Sequence, residues 1–145
     1  MKLFNTIQVI DGSDLVKNDI PYIGSSIMFL VSQSGETKDV YRCIDIAKSR
    51  NVFTVAVVNE VESVIARNSD CVIDILAGKE KGVASTKTYT NQVVVLTMIA
   101  MHMSAFSKDF DKNEVQEYVQ NLKTLPRDIR KTFLAMENKM DQVLG

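Results

Sequence analysis

An α/β fold, doubly wound around a mainly parallel sheet with further helices at the C-terminal end, is what the sequence predicts. The apolar runs Ile27–Val31, Val52–Val58 and Cys71–Leu76 are continuous rather than alternating, as expected of strands covered on both faces. Helical spacing fills the intervals between them. The order strand, helix, strand, helix, strand then implies parallel pairing with crossover helices.

Taken from the amino end, Thr6–Ile10 has the composition of a short strand, stopped by Asp11-Gly12-Ser13-Asp14; Pro21 and Gly24 mark a later turn. Residues 37–50 place Val40, Tyr41, Ile44 and Ala47 at helical intervals. Val52–Val58 is rich in β-branched residues. Glu60–Asn68 reads as a short helix with Val61, Val64 and Ile65 on one side. From Gly82 a long helix follows that is apolar on most of its surface, so it should be buried by the sheet, by a partner, or by both. Asn113–Leu122 and Arg127–Val143 are amphipathic helices separated by Leu125-Pro126. The second of them carries Ile129, Phe133, Met136 and Met140 in a stripe that must pack on something.

Composition narrows the function. The chain has 145 residues, enough for one domain, and its 17 basic against 18 acidic residues leave a net charge of −1. There is no basic stripe for nucleic acid or a membrane surface, and Val93–Met103 is too short to span a bilayer. No apolar leader follows Met1, so a cytoplasmic protein is expected. Cys43 and Cys71 have no metal-ligand spacing and read as buried apolar residues. His102, among Met98, Ile99, Met101 and Met103, reads as buried or at an interface rather than as a general base. Asp39, Asp45, Glu60, Glu62 and Asp70 read as solvated partners or caps, with no pair poised for acid/base work. No cofactor, metal or catalytic residue is indicated.

Two strand-to-helix segments carry anion-binding equipment instead. Ser32-Gln33-Ser34-Gly35-Glu36-Thr37 follows an apolar strand and opens a helix, where backbone N–H groups and a positive dipole end face a ligand. Its three hydroxyls add donors and Gly35 permits close approach, although Ser34 as a simple helix cap is the competing reading. The second segment, residues 78–87, supplies Ser85, Thr86 and Lys87 at the start of the long helix and could face the first across one sheet edge; a plain capped helix start is its alternative.

The stretches "LVSQSGETKDVYRCIDIAKSRNVFTVAVVN" and "AGKEKGVASTKTYTNQVVVL" closely resemble the first sugar isomerase (SIS) domain of the glutamine–fructose-6-phosphate aminotransferase family. The resemblance implies that Ser32, Gln33, Ser34 and Thr37 hold a sugar 6-phosphate, while Val83 and Ser85 line the sugar side. Glu36, a carboxylate that would repel phosphate, is expected to serve the helix start or to brace the loop. The resemblance also implies a division into a partial sugar-phosphate domain over residues 1–110 and helices over residues 111–145 leading toward a second SIS domain. The family's glutaminase cysteine and its isomerising glutamate, lysine and histidine have no counterparts here, so this chain is expected to bind without catalysing. Feedback control is not expected either, because Val72 and Asp74 stand where eukaryotic members have glycine and histidine beside a bound nucleotide sugar. The family's first strand and helix are lacking, which should leave a gap between residues 6–10 and 27–31. A homodimer, another oligomer, or association with the rest of an enzyme is therefore expected. A non-catalytic sugar-phosphate sensor and an oligomerising remnant are the alternatives.

Overall fold

The structure, a computed structural model, describes residues 4–81, 84–107 and 111–144. Its regular elements are β1 (Ile27–Ser32), α1 (Lys38–Lys48), β2 (Phe53–Val58), α2 (Val64–Asn68), β3 (Cys71–Asp74), α3 (Thr86–Ser104) and α4 (Lys112–Leu144). The strands form a parallel sheet in the order β1-β2-β3, with Ile27 beside Phe53 and Val55 beside Cys71.

Alternation of side chains along the strands divides the core into two layers. Leu30, Ala56 and Val58 point to one face, where Cys43 and Ile44 of α1 and Ile65 and Ala66 of α2 cover them. Phe29, Val55 and Val57 point to the other, where Val95, Leu96 and Ile99 of α3 pack. Helices on both faces of a parallel sheet make the doubly wound α/β arrangement that the apolar runs indicate.

Only β2, the central strand, is buried along nearly its whole length. β1 leaves Ile27 and Val31 exposed, and β3 exposes Cys71 and Val72. Full burial needs neighbours on both sides, and the outer strands have one each, so the expectations of a buried β3 and a buried Cys71 fail. Cys43 is buried as expected, and desolvation pushes its thiol pKa up.

Residues 6–10 form no strand, contrary to their composition. A strand exists through its ladder partner, and this segment has none: Ile7 is 80% and Val9 100% exposed. The chain following it is strapped to α1 instead. Arg42 donates through Nη2 to the carbonyls of Gly12, Ser13 and Leu15, each at 3.0 Å, and Leu15 and Ile20 enter the core. Arg50 donates to the Lys17 carbonyl and lies 3.5 Å over the Tyr22 ring.

Residues 4–100 cluster as one compact unit and residues from 101 onward belong to a second. α3 is covered on one side only, with Tyr89, Val93 and Met98 exposed, so its apolar surface is less buried than its composition suggests. His102 is also exposed, its ring edge-on to Phe106 at 5.6 Å, which overturns a buried position. The two expected C-terminal helices are one, with Pro126 inside it. Proline removes the bond to the Leu122 carbonyl, and on a helix this exposed water can satisfy that group. Ile129, Phe133 and Met136 remain 46–63% exposed; the side chain of Met140 lies outside the described residues.

Candidate functional site: the carboxyl edge of the sheet

Parallel pairing brings the carboxyl ends of all three strands to one edge, so the segments after Ser32, Val58 and Asp74 emerge together. The first is a tight turn. Ser32, buried at the end of β1, accepts the Gly35 N–H on Oγ at 3.0 Å and shares a 2.9 Å hydrogen bond with the Thr37 hydroxyl. Ser34 Oγ accepts the Glu36 N–H at 3.2 Å. Gly35 takes φ +65° under the buried Ser63 side chain, where a Cβ would come closer than 3.0 Å to Ser63 Oγ and Cβ. Only glycine meets both demands.

Ser34 is not the cap of α1. The N-cap is Thr37, whose side chain makes no cap hydrogen bond, so the first-turn N–H groups of α1 have neither a preceding turn nor a side-chain acceptor from their cap. Glu36 turns away to α2, its Oε1 accepting the Val64 N–H at 2.9 Å, and the Gly35 carbonyl accepts the Ile65 N–H at 3.0 Å. The loop is therefore braced from the side while its hydroxyls stay at the rim. Gln33 and Ser34 are partly exposed and Thr37 is exposed.

Asn59, which carried no signal in the sequence, ties the edge together. Its N–H donates to the Gln33 carbonyl at 3.2 Å, its Nδ2 to the Gly78 carbonyl at 3.0 Å, and its Oδ1 accepts the Ala77 N–H at 3.1 Å. The loops after β1 and β3 are thus held through one residue at the end of β2. A shallow concavity of about 380 Å³ lies beside it, lined by Asn59, Glu60, Asp74, Leu76, Gly78 and Lys79. Gly78 and Lys79 belong to the second expected segment, but none of the residues assigned to phosphate or sugar lines it. Polar spacing over 18 or 19 residues has no local pattern, which is why Asn59 was not legible.

The second expected segment is less built. Ser85 is exposed just before α3, and its carbonyl accepts the Tyr89 N–H at 3.0 Å. Glu80 serves that helix start instead, with Oε2 accepting from the hydroxyl and N–H of the buried Thr88 at 3.1 and 3.4 Å. No hydrogen bond joins Ser85 to the Ser32–Thr37 turn among the described residues, and Val83 lies outside them.

At the opposite, amino edge, Asp70 accepts the Thr54 N–H at 2.8 Å and its hydroxyl at 2.7 Å. These bonds, the backbone one first, lower the Asp70 pKa below its ordinary value. Asp70 is a brace for β2 and stands apart from the candidate site. Among the described residues no cluster of side chains could hold a metal ion, and no helix is long and apolar enough to cross a membrane.

Residues 4–102 match the model of the SIS domain. The human glutamine–fructose-6-phosphate aminotransferase (isomerizing) 2 is 39% identical over 128 residues, 88% of this chain and 18% of that protein. The isoform 1 enzyme of Rattus norvegicus is 37% identical over 131 residues, 90% of this chain and 19% of that protein. The chain thus spans about a fifth of the length of these relatives. Among solved structures, the C-terminal domain of glucosamine-fructose-6-phosphate aminotransferase from Francisella tularensis superposes with a TM-score of 0.64 at 32% identity, covering 68% of this chain and 28% of that one. With a parallel sheet, helices on both faces and a braced hydroxyl turn at its carboxyl edge, the chain belongs to the SIS domain family.

Proposed function

We propose that this chain binds the phosphate group of a six-carbon sugar phosphate, fructose 6-phosphate or glucosamine 6-phosphate, at the Ser32–Thr37 turn, as part of an enzyme that makes amino sugars. The observation that carries the reading is the division within the turn. Ser32, Gly35 and Glu36 are occupied in holding its shape, while Ser34, which only accepts within the turn, Thr37, which shares one bond with Ser32, and the first-turn N–H groups of α1 keep donor capacity for an anion. A phosphate there would accept from the Thr37 and Ser34 hydroxyls and from backbone N–H groups, at the positive end of an 11-residue helix. Gln33, at the rim, has an amide donor for the same oxygens or the nearest sugar hydroxyl, and Val83 and Ser85 are assigned to the sugar side.

The chain acts here as a binding unit. Moving a proton between adjacent carbons of a ketose needs a base beside the substrate, and the turn's one carboxylate, Glu36, is engaged with Val64. That chemistry falls to groups elsewhere in the enzyme, with which this chain associates in the cytoplasm.

Calorimetric titration of the purified chain with fructose 6-phosphate, glucosamine 6-phosphate and inorganic phosphate tests the reading. Saturable binding of the sugar phosphates, abolished by combined Ser34→Ala and Thr37→Ala, is expected. Absence of binding to all three, or binding indifferent to both substitutions, refutes it.

A further inference from the structure

Between β3 and α3 the chain crosses the carboxyl edge in a segment fastened at one residue after another. Two of its residues take positive φ, Leu76 at +53° and Gly78 at +65°. Leucine is strained at such an angle and keeps it only where its surroundings impose it. Packing does not impose it here, since Leu76 is 80% exposed; hydrogen bonds do. Asp74 Oδ1 accepts the Leu76 N–H at 2.7 Å, and Asn91 of α3 donates through Nδ2 to the Ile75 carbonyl at 3.0 Å. Further along, Lys87 Nζ donates to the Lys79 carbonyl at 2.6 Å, and the Glu80 carboxylate accepts from Thr88.

These bonds run within the segment or to α3. Asn59 reaches the segment from the end of β2, and its two halves act on different loops. The half-buried side chain holds the segment, Oδ1 accepting the Ala77 N–H and Nδ2 donating to the Gly78 carbonyl. The backbone N–H holds the turn, donating to the Gln33 carbonyl. Truncating the side chain would therefore free residues 77–78 and spare the bond to the turn. Lys87 and Thr88, which grip the far end of the segment, lie two and three residues beyond Ser85. Through residues 77–80 the Asn59 side chain thus bears on where the start of α3 sits beside the turn.

We infer that Asn59 is a positioning residue that makes the site prefer a sugar phosphate to bare phosphate. The inference rests on the proposed function, in which the turn holds the phosphate and the start of α3 meets the sugar. Inorganic phosphate uses the turn alone, which the Asn59 side chain does not touch. A six-carbon sugar phosphate uses both parts, and their relative placement depends on that side chain.

Calorimetric titration of the full chain with fructose 6-phosphate and with inorganic phosphate reads the preference as a ratio of two affinities. The parent should favour the sugar phosphate. Asn59→Ala should lower the ratio about tenfold while binding inorganic phosphate like the parent, and amide exchange over residues 76–80 should speed up without ligand. Asn59→Asp keeps the acceptor for Ala77 and loses the donor for Gly78, so it should lower the ratio less. Its added charge acts on the phosphate of both ligands and cancels in the ratio, so this variant carries the test if the alanine protein does not fold. Thr37→Val, in the turn, should weaken both ligands alike. A parent that binds neither ligand refutes the proposed function, and the inference falls with it. A parent that binds both equally, or Asn59 variants that keep the parent's ratio, overturn the inference alone. A lowered ratio with unchanged exchange over residues 76–80 also overturns it, because Asn59 would then act by touching the sugar itself.

Discussion

Replacing Gly35 by alanine tests the brace on which the candidate site depends. Gly35 sits at φ +65°, a conformation that costs a residue with a Cβ roughly 1 to 2 kcal/mol. The new methyl would also lie closer than 3.0 Å to both Oγ and Cβ of Ser63, a buried residue whose hydroxyl accepts the Ala66 N–H as the N-cap of α2. Crowding of this kind in a packed region costs about 1 to 3 kcal/mol, giving a combined loss of about 2 to 5 kcal/mol. That is a large part of the stability of an ordinary domain. Urea denaturation reads the loss directly. The clash and the backbone strain are separated by adding Ser63→Gly, which removes both offending atoms and, as a cap replacement, costs only a few tenths of a kcal/mol by itself. The double variant should therefore be more stable than Gly35→Ala alone, retaining mainly the strain of about 1 to 2 kcal/mol. A Gly35→Ala protein as stable as the parent, or a double variant that loses the sum of the two single losses, refutes the packing argument.

Two further outcomes follow from braces outside the turn. Asp70 has its pKa lowered by the Thr54 bonds, so its contribution is complete above the ordinary carboxyl value of 3.8 and is lost as pH falls below it. Urea midpoints measured through that acid range should fall less steeply for Asp70→Asn than for the parent. Arg42→Ala removes the nitrogen shared by three carbonyls; it should speed amide exchange over residues 12–17 and cost about 1 kcal/mol or more, read by exchange mass spectrometry and urea denaturation.

The parts of the fold legible in the sequence are those that local pattern determines. The apolar runs at 27–31 and 52–58, with helical spacing between them, require a covered parallel sheet, and a hydroxyl-rich turn after β1 has to lie on its carboxyl edge. What escaped was set by distant partners. Thr6–Ile10 has strand composition, but a strand forms only where another offers its free edge, and no local pattern reports that none is in reach. β3 is apolar and yet exposed because it has one neighbour instead of two. Pro126 reads as a break between helices, although a solvent-exposed helix can forgo one hydrogen bond and continue. Arg42, Asn59 and Glu80 carry no local signal of their roles; each holds backbone or side-chain groups 8 to 30 residues away. Glu36 is the instructive exception. Electrostatics alone excludes it from a phosphate shell and leaves it to the helix start or to bracing, and of these its carboxylate does the second, holding the N-terminus of α2.

Ser32 and Thr37 divide the remaining labour of the turn in a way that can be measured. Their hydroxyls are 2.9 Å apart, and either could donate. Ser32 Oγ already accepts the Gly35 N–H, so donating its own proton to Thr37 leaves the Thr37 proton free to point outward. A bound phosphate, which only accepts, selects that direction: Ser32 to Thr37 to phosphate oxygen. The two residues should then fail differently. Thr37→Val removes the outward donor from an exposed cap that makes no side-chain cap bond and breaks only its bond to Ser32, so stability should fall by about 1 kcal/mol while phosphate affinity falls roughly tenfold. Ser32→Ala strips a buried N–H of its acceptor and should cost about 1 to 3 kcal/mol of stability in addition to affinity. Urea denaturation and phosphate titration on the same two proteins decide the matter. Equal stability losses, or a Thr37→Val protein that binds phosphate like the parent, would show that the pair braces the turn and does no more.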